Sequence, residues 1–252
     1  MLLISSLRAL YTLKSETKRT YLSFVWWIVA PAIDIAVLYF VFSILLGGFS
    51  KTTNFAAVLS IGIVIFSWFS NSVNNASNAI VGQKHIAINT PIKLISLVLS
   101  VSLSDLFKQL IVVFVGLLLL KLLTTFSINY FYLLCIIFVQ FFFIFSFSLI
   151  TALIIPLIPD FKLVLSVIVQ VMMFSSGVFF SINNIPEQFK SLIILNPLAN
   201  IIELSRFVII DNYESPLAIS SSISALVITT GILFIVAILF HQLVSDKVRK
   251  VL

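Results

Sequence analysis

Charge is what this sequence has least of. Among its 252 residues only 10% are charged, whereas a soluble domain carries about 25%. So few charges leave too little polar surface to cover a water-soluble globule, and a mean hydropathy of +1.21 says the same. The shortage therefore points to lipid as the solvent for most of the surface. Cysteine and histidine are scarce too, at one and two residues. The single Cys135 lies in an apolar run, forms no intrachain disulfide and reads as a packing residue. His85 and His241 are far apart, with no ligand spacing around either, so a metal centre is not expected. No GxxxxGK[ST] phosphate loop, HExxH, CxxC or GxSxG occurs, and the chain carries no recognisable means of hydrolysing ATP itself. No small-residue cleavage site follows the N-terminal charges, so a cleavable signal peptide is not expected. The net charge of +6 does not suggest nucleic acid, because the basic residues cluster at the edges of apolar runs.

What the sequence has in abundance is those runs. In lipid every backbone polar group must be satisfied internally, so a chain spans as helices or as a closed barrel. A barrel shows alternating segments of about ten residues, whereas the runs here are long and continuous. The expected fold is an all-α membrane protein. Six runs meet the roughly 20 residues a crossing requires: Leu22–Leu46, Phe55–Val81, Ser96–Leu120, Tyr130–Ile155, Phe161–Ile182 and Leu217–His241. Pro156 and Pro159 force a tight turn between the fourth and fifth. An even number of crossings puts both termini on one side. With that side cytoplasmic, the inner segments hold Arg8, Lys14, Lys18, Arg19, Lys84, Lys93, Lys108, Lys162, Lys247, Arg249 and Lys250. The outer segments hold only Lys51, Lys121, Lys190 and Arg206, which fits the positive-inside bias.

Three segments are not crossings. In the first, within residues 1–21, Leu3, Leu7, Leu10 and Tyr11 share one helical face and Ser5, Arg8, Thr12, Ser15 and Arg19 the other, the pattern of a helix lying in the interface. The second, Gly82–Leu94, is too polar to span and suits either a plain loop or a short helix offered to a cytoplasmic partner. The third, residues 183–215, contains a helix start at Asn184-Ile185-Pro186-Glu187, a break at Asn196-Pro197 and a second apolar piece, Leu198–Ile210. Two short helices dipping into the outer leaflet or lying on it are expected there. Glu203 and Arg206, at i and i+3, fall on one helical face, either as a functional pair or as a solvated surface pair.

Polar groups inside the runs are the candidate functional residues. Asp34 is the carboxylate expected well within a crossing, at a cost of about 2.5–3.5 kcal/mol at mid-span. In the second run Ser67, Asn71, Asn74 and Asn78 recur on one helical face, with Ser70 and Asn75 beside them. Such a stripe either glues helices together or lines a hydrophilic conduit. Trp26, Trp27 and Trp68 and the Phe-rich fourth run (Phe138, Phe141, Phe142, Phe143, Phe145, Phe147) suit lipid contact and anchoring, or rings that stack on sugars or seal a pore.

Taken in order, certain residues resemble the membrane subunit of polysaccharide-export ABC transporters, which export O-antigen, capsule and teichoic-acid chains. The opening Lys18-Arg19-Thr20-Tyr21-Leu22-Ser23-Phe24-Val25-Trp26, then Pro31 and Tyr39-Phe40-Val41-Phe42-Ser43, is similar to that family's start, with Ser23-Phe24 where a Gly is usual. Ile185-Pro186-Glu187, Leu195-Asn196-Pro197-Leu198 and Arg206 resemble its stretch before the last crossing, and Pro159-Asp160 stands where Arg-Asp is common. The resemblance implies a homodimer around one channel in the bacterial inner membrane. It also implies two copies of a separate ATP-binding cassette subunit, which would hold ATP and Mg, and a lipid-linked polysaccharide such as O-antigen of lipopolysaccharide as cargo. It would make Asp34, Ser67, Asn71, Asn74, Asn78, Trp26 and Tyr39 channel-lining residues. Lys84, His85, Asn89, Pro91 and Lys93, in a loop at 82–95, would couple to the ATPase, and Pro186, Glu187, Asn196, Pro197, Glu203 and Arg206 would form an outer gate. Alternatives are an ABC permease for a small hydrophobic drug or lipid, and a proton-coupled transporter using Asp34. A membrane enzyme fits least, for want of convergent catalytic groups.

Overall fold

The computed structural model describes residues 2–19, 23–41, 55–123, 129–182, 186, 188, 193, 195–211, 213 and 219–252. Among the described residues there are helices and no strand. In chain order they are α1 (Leu2–Arg19), α2 (Ser23–Tyr39), α3 (Phe55–Ser77), α4 (Ala79–Gly82), α5 (Lys84–Asn89), α6 (Leu94–Leu123), α7 (Tyr130–Ile154), α8 (Phe161–Ser175), α9 (Pro197–Ile209) and α10 (Ile219–Val251). Among the described residues, four stretches are long and apolar enough to cross a bilayer: α3, Leu94–Leu118 of α6, α7, and Ser222–Val251 of α10. Among the described residues the first and fifth expected crossings give shorter apolar helices, Val25–Tyr39 and Phe161–Ser175, while positions 22 and 42–46 of the first run lie outside the described residues. At 1.5 Å per residue each of these two helices covers about 22 Å of a roughly 30 Å hydrocarbon core.

The fifth run therefore does not continue as a helix to Ile182. The α8 helix stops at Ser175 because Gly177 adopts φ +66°, a left-handed conformation that glycine alone enters freely. Residues 176–182 then fold back as a buried loop. The last helix runs the other way, extending past His241 to Val251. The second run breaks at Asn78, so that α4 and α5 follow α3 as short helices. The tight turn at Pro156 is present, closed by Leu157 and Ile158 N–H groups that donate to the Ile154 carbonyl.

At the centre is α3, packed against α2, α6, α7 and α9. Two glutamines from neighbouring helices donate into its backbone: Gln109 of α6 to the Val64 carbonyl at 3.2 Å and Gln140 of α7 to the Ile65 carbonyl at 3.0 Å. In lipid such bonds supply association that the hydrophobic effect does not. The Phe-rich α7 packs by rings: Phe143 stacks on Phe69 of α3 with centroids 5.6 Å apart, and Phe142 meets Phe234 of α10 edge-on at 5.5 Å. These aromatics hold helices together. Phe138, by contrast, is exposed.

A second apolar cluster, at the α4–α5 end, joins Ala76, Ile80, Ala87, Leu97, Leu149 and Val248. The interfacial helix α1 lies against α6 through the face expected to be polar. Ser5 and Ala9 are buried, and the Ser5 hydroxyl donates to the Ser96 carbonyl. Its apolar face, Leu7, Leu10 and Tyr11, points outward, as a helix resting in lipid requires.

Candidate functional site

Two polar constructions stand out in this apolar bundle. The first is built around Arg206 of α9, which is fully buried together with Glu203. Its Nε donates to the Val58 carbonyl of α3 at 3.1 Å. Nη1 donates to the Phe180 carbonyl at 3.1 Å and to Glu203 Oε1 at 3.2 Å. Nη2 donates to the carbonyls of Gly177 at 2.9 Å and Val178 at 3.0 Å. Every guanidinium N–H is thereby used. Glu203 also accepts from the Ile182 backbone N–H at 2.9 Å, and from the Tyr213 hydroxyl at 2.7 Å. Burial, then the Glu203 charge, pushes the Tyr213 phenol well above its usual pKa. Asn196, the N-cap of α9, receives the Leu198 N–H and donates to the Ser176 hydroxyl at 2.9 Å. The Arg206 hub thus ties the folded-back loop 176–182 to α9 and α3.

From the sequence, two short outer helices are expected between residues 183 and 215. The second piece, α9, is buried among α3, α7 and α10, because Glu203 and Arg206 satisfy each other and the loop's carbonyls only inside the protein. Sequence reasoning left open whether the two residues were a surface pair. The i, i+3 spacing identified the partners, but nothing in it showed that five carbonyl and carboxylate bonds waited for the arginine. Gly62 of α3 is the other half of this site. A Cβ there would stand 2.4 Å from the Val178 carbonyl oxygen and 2.9 Å from Arg206 Nη2. Pro186 is exposed. Glu187 and the expected start of the first gate piece lie outside the described residues.

The second construction is a polar chamber of about 270 Å³ between α2, α3 and α6. Its walls bring together Trp26, Trp27 and Pro31 of α2, Ser67, Trp68, Asn71, Ser72 and Asn75 of α3, and Asp105, Lys108 and Gln109 of α6. Asp105 accepts from Asn75 Nδ2 at 3.1 Å and from Lys108 Nζ at 3.3 Å. The Lys108 ammonium also stands 5.5 Å from the Trp27 ring centroid. The carboxylate expected inside the bundle was Asp34, yet Asp105 is also inside a crossing and is the buried one. Asp34 is exposed on α2. Lys108, assigned above to the cytoplasmic segments, likewise belongs to the middle of α6. Asp105 and Lys108, three residues apart in a long apolar run, were the overlooked signal: charges in a crossing persist when they pair.

The asparagine stripe divides. Ser67, Asn71 and Asn75 reach the chamber, while Asn74 and Asn78 turn back and donate to the carbonyls of Ser70 and Asn74 on their own helix. Trp26 lines the chamber too, and Tyr39 is exposed further along α2. At the far end Lys84, His85, Asn89, Pro91 and Lys93 are all exposed, with Ile88 exposed among them, while Ala87 anchors α5 to the bundle. The loop after α5 is held by Arg249 of α10, whose guanidinium donates to the Ile92 carbonyl.

Residues 11–210 match the family described as ABC-2 type transporter. The chain belongs to that family. It is thus a multi-pass membrane transport subunit, of the kind that pairs with a separate ATP-binding cassette subunit. The chain is also similar to the polysialic acid transport protein KpsM of Escherichia coli, with 27% identity over 202 residues, covering 77% of this chain and 76% of that protein.

Proposed function

We propose that this permease subunit exports a lipid-linked polysaccharide across the bacterial cytoplasmic membrane, driven by ATP hydrolysis on a partner chain. The observation that carries the reading is the family match combined with the similarity to a polysaccharide transport protein over about three quarters of both chains. The active unit in this reading is a homodimer with two ATP-binding subunits, and both termini face the cytoplasm. Residues 1–21 are then the interface helix, 82–95 the coupling loop and 183–215 the outer gate region, with residues 217–241 in the final crossing. O-antigen or a related cell-surface glycan is the cargo class, and ATP and Mg act on the partner subunit alone.

The α5 segment supports the docking role. It is a short helix whose inner residue, Ala87, is buried while Lys84, His85 and Ile88 face outward, so a partner meets a charged rim around one apolar contact. Co-purification tests this. The chain should retain an ATP-binding cassette subunit, and replacing Lys84 and His85 by Glu should release it; unchanged retention would refute the docking role. A deletion strain should accumulate the glycan inside the cell. A purified chain that transports on a proton gradient without any ATPase would overturn the reading.

A further inference from the structure

The exposed faces of the membrane helices are of two kinds. On α6 the exposed side chains between Leu94 and Leu118 are Phe107, Leu110, Phe114 and Leu118. On α10 those between Leu226 and His241 are all aliphatic, from Val227 to Leu239, with Gly231 among them. Such faces suit lipid. The α8 helix differs. Leu163, Val167, Gln170 and Phe174 are all exposed on it, and their spacing of four, three and four residues is that of a heptad seam along one helical face. Gln170 stands nine residues past Phe161, about 14 Å along the helix and near the middle of a roughly 30 Å hydrocarbon core. Its amide makes no hydrogen bond among the described residues, and hydrocarbon offers it none. Ser166, beside the seam, satisfies itself by donating to the Lys162 carbonyl. The helix receives little cover from its own chain, with only Leu165 and Val169 buried. It is nonetheless held at both ends, by the turn at Pro156 and by the loop that Arg206 grips beyond Ser175. The seam is therefore presented on a fixed element.

We infer that this α8 face is the seam between two copies of the chain, and that Gln170 fixes its register by pairing with Gln170 of the partner subunit. The inference rests on the homodimer reading above and names the surface that joins the dimer. The chemistry of the face selects the occupant. Lipid suits Leu163, Val167 and Phe174, which are 72%, 58% and 57% exposed, but it strands the amide among them. Water satisfies the amide but wets three large apolar side chains. A second copy satisfies both. Two copies inserted the same way in one bilayer are related by a two-fold axis along the membrane normal, so their α8 helices run parallel and each seam position meets its own counterpart. A side-chain amide both donates and accepts, so two glutamines exchange a pair of hydrogen bonds. A single polar position in an otherwise apolar seam specifies register and partner number.

The test uses the full chain in membrane vesicles, with Cys135, its single cysteine, replaced by Ser. New cysteines are introduced one at a time at Val167 and Phe174 on the seam, and at Ile232 on the exposed face of α10, and the vesicles are oxidised with copper phenanthroline. A disulfide requires Cα atoms within about 7 Å, so Val167→Cys and Phe174→Cys should each give a linked dimer and Ile232→Cys should not. Both seam cysteines should resist a membrane-impermeant, charged thiosulfonate. The amide is tested by energy transfer between labelled chains reconstituted at rising lipid-to-protein ratio. There Gln170→Leu should bring half-dissociation at about tenfold less lipid, and Gln170→Asn, which keeps an amide, should hold it within about threefold. A chain that dimerises while its seam cysteines link no better than Ile232→Cys would overturn the α8 seam and leave the homodimer reading standing. Thiosulfonate labelling of the seam without disulfide formation would overturn it in favour of a water-filled passage. An unchanged half-dissociation for Gln170→Leu would remove Gln170 from the register. A chain that photobleaches in single steps at every ratio would overturn the seam and the homodimer together.

Discussion

Arg206 makes five hydrogen bonds from the bundle interior, and a guanidinium in an apolar interior is tolerable only when all its protons are used. Lysine offers three donors on a point charge and lacks the planar fork. Arg206→Lys is therefore expected to destabilise the fold by about 3–5 kcal/mol, measured by denaturant unfolding in detergent micelles. Gly62 makes a separate, steric test. Gly62→Ala drives a methyl into the Val178 carbonyl at 2.4 Å and should cost about 1–3 kcal/mol. Gly231→Ala, where a Cβ meets nothing, should be neutral or slightly stabilising, since alanine is the better helix former. Tyr213 makes the pH test. Its phenol is held protonated in the fold, so the folded chain binds a proton that the unfolded chain releases above about pH 10. Its contribution is full below that pH and is lost as the pH rises through the folded pKa. Spectroscopic titration of the six tyrosines should show one ionising late, and Tyr213→Phe should remove that component.

At the scale of elements, the helices were legible and their ends were not. Tyr130–Ile154 matches its expected crossing almost residue for residue, because Asn129 caps one end and Pro156 breaks the other. The fifth run kept its apolar character through Phe179, Phe180 and Ile182, so hydropathy gave no sign of the stop at Ser175. Gly177 decided that stop, and its left-handed φ has a purpose only once Arg206 collects the carbonyls around it. The asparagine stripe, expected as one polar face, divides in the structure. Which amides cross to another helix depends on Asp105, thirty residues away in sequence from Asn75. That contact is one amide reaching both oxygens of a carboxylate between helices, and such polar contacts in membranes are worth about 0.6–1.7 kcal/mol. A double-mutant cycle with Asn75→Leu and Asp105→Asn should return a coupling in that range, several times smaller than the loss at Arg206. A larger coupling would mean that Lys108 and Trp27 reorganise with the pair.

For the molecule as a whole, the chain's two ends and its α4–α5 segment converge on one side. The α1 helix leans on α6, Ala87 roots α5 in the cluster that also holds Val248, and Arg249 grips the Ile92 carbonyl. If the ATP-binding partner pushes on α5, the displacement has a short route into α10 and from there into α7, which α10 packs along. Arg249→Ala should leave the partner bound and hydrolysing ATP while lowering glycan delivered per ATP, measured as the ratio of surface glycan to phosphate released. Unchanged delivery would remove Arg249 from the route. On the proposed coupling reading, the Arg249–Ile92 contact would be the clasp that lets the final helix work as a pushrod. A stroke made outside the membrane would arrive at the far end of the bundle without first having to bend a loop.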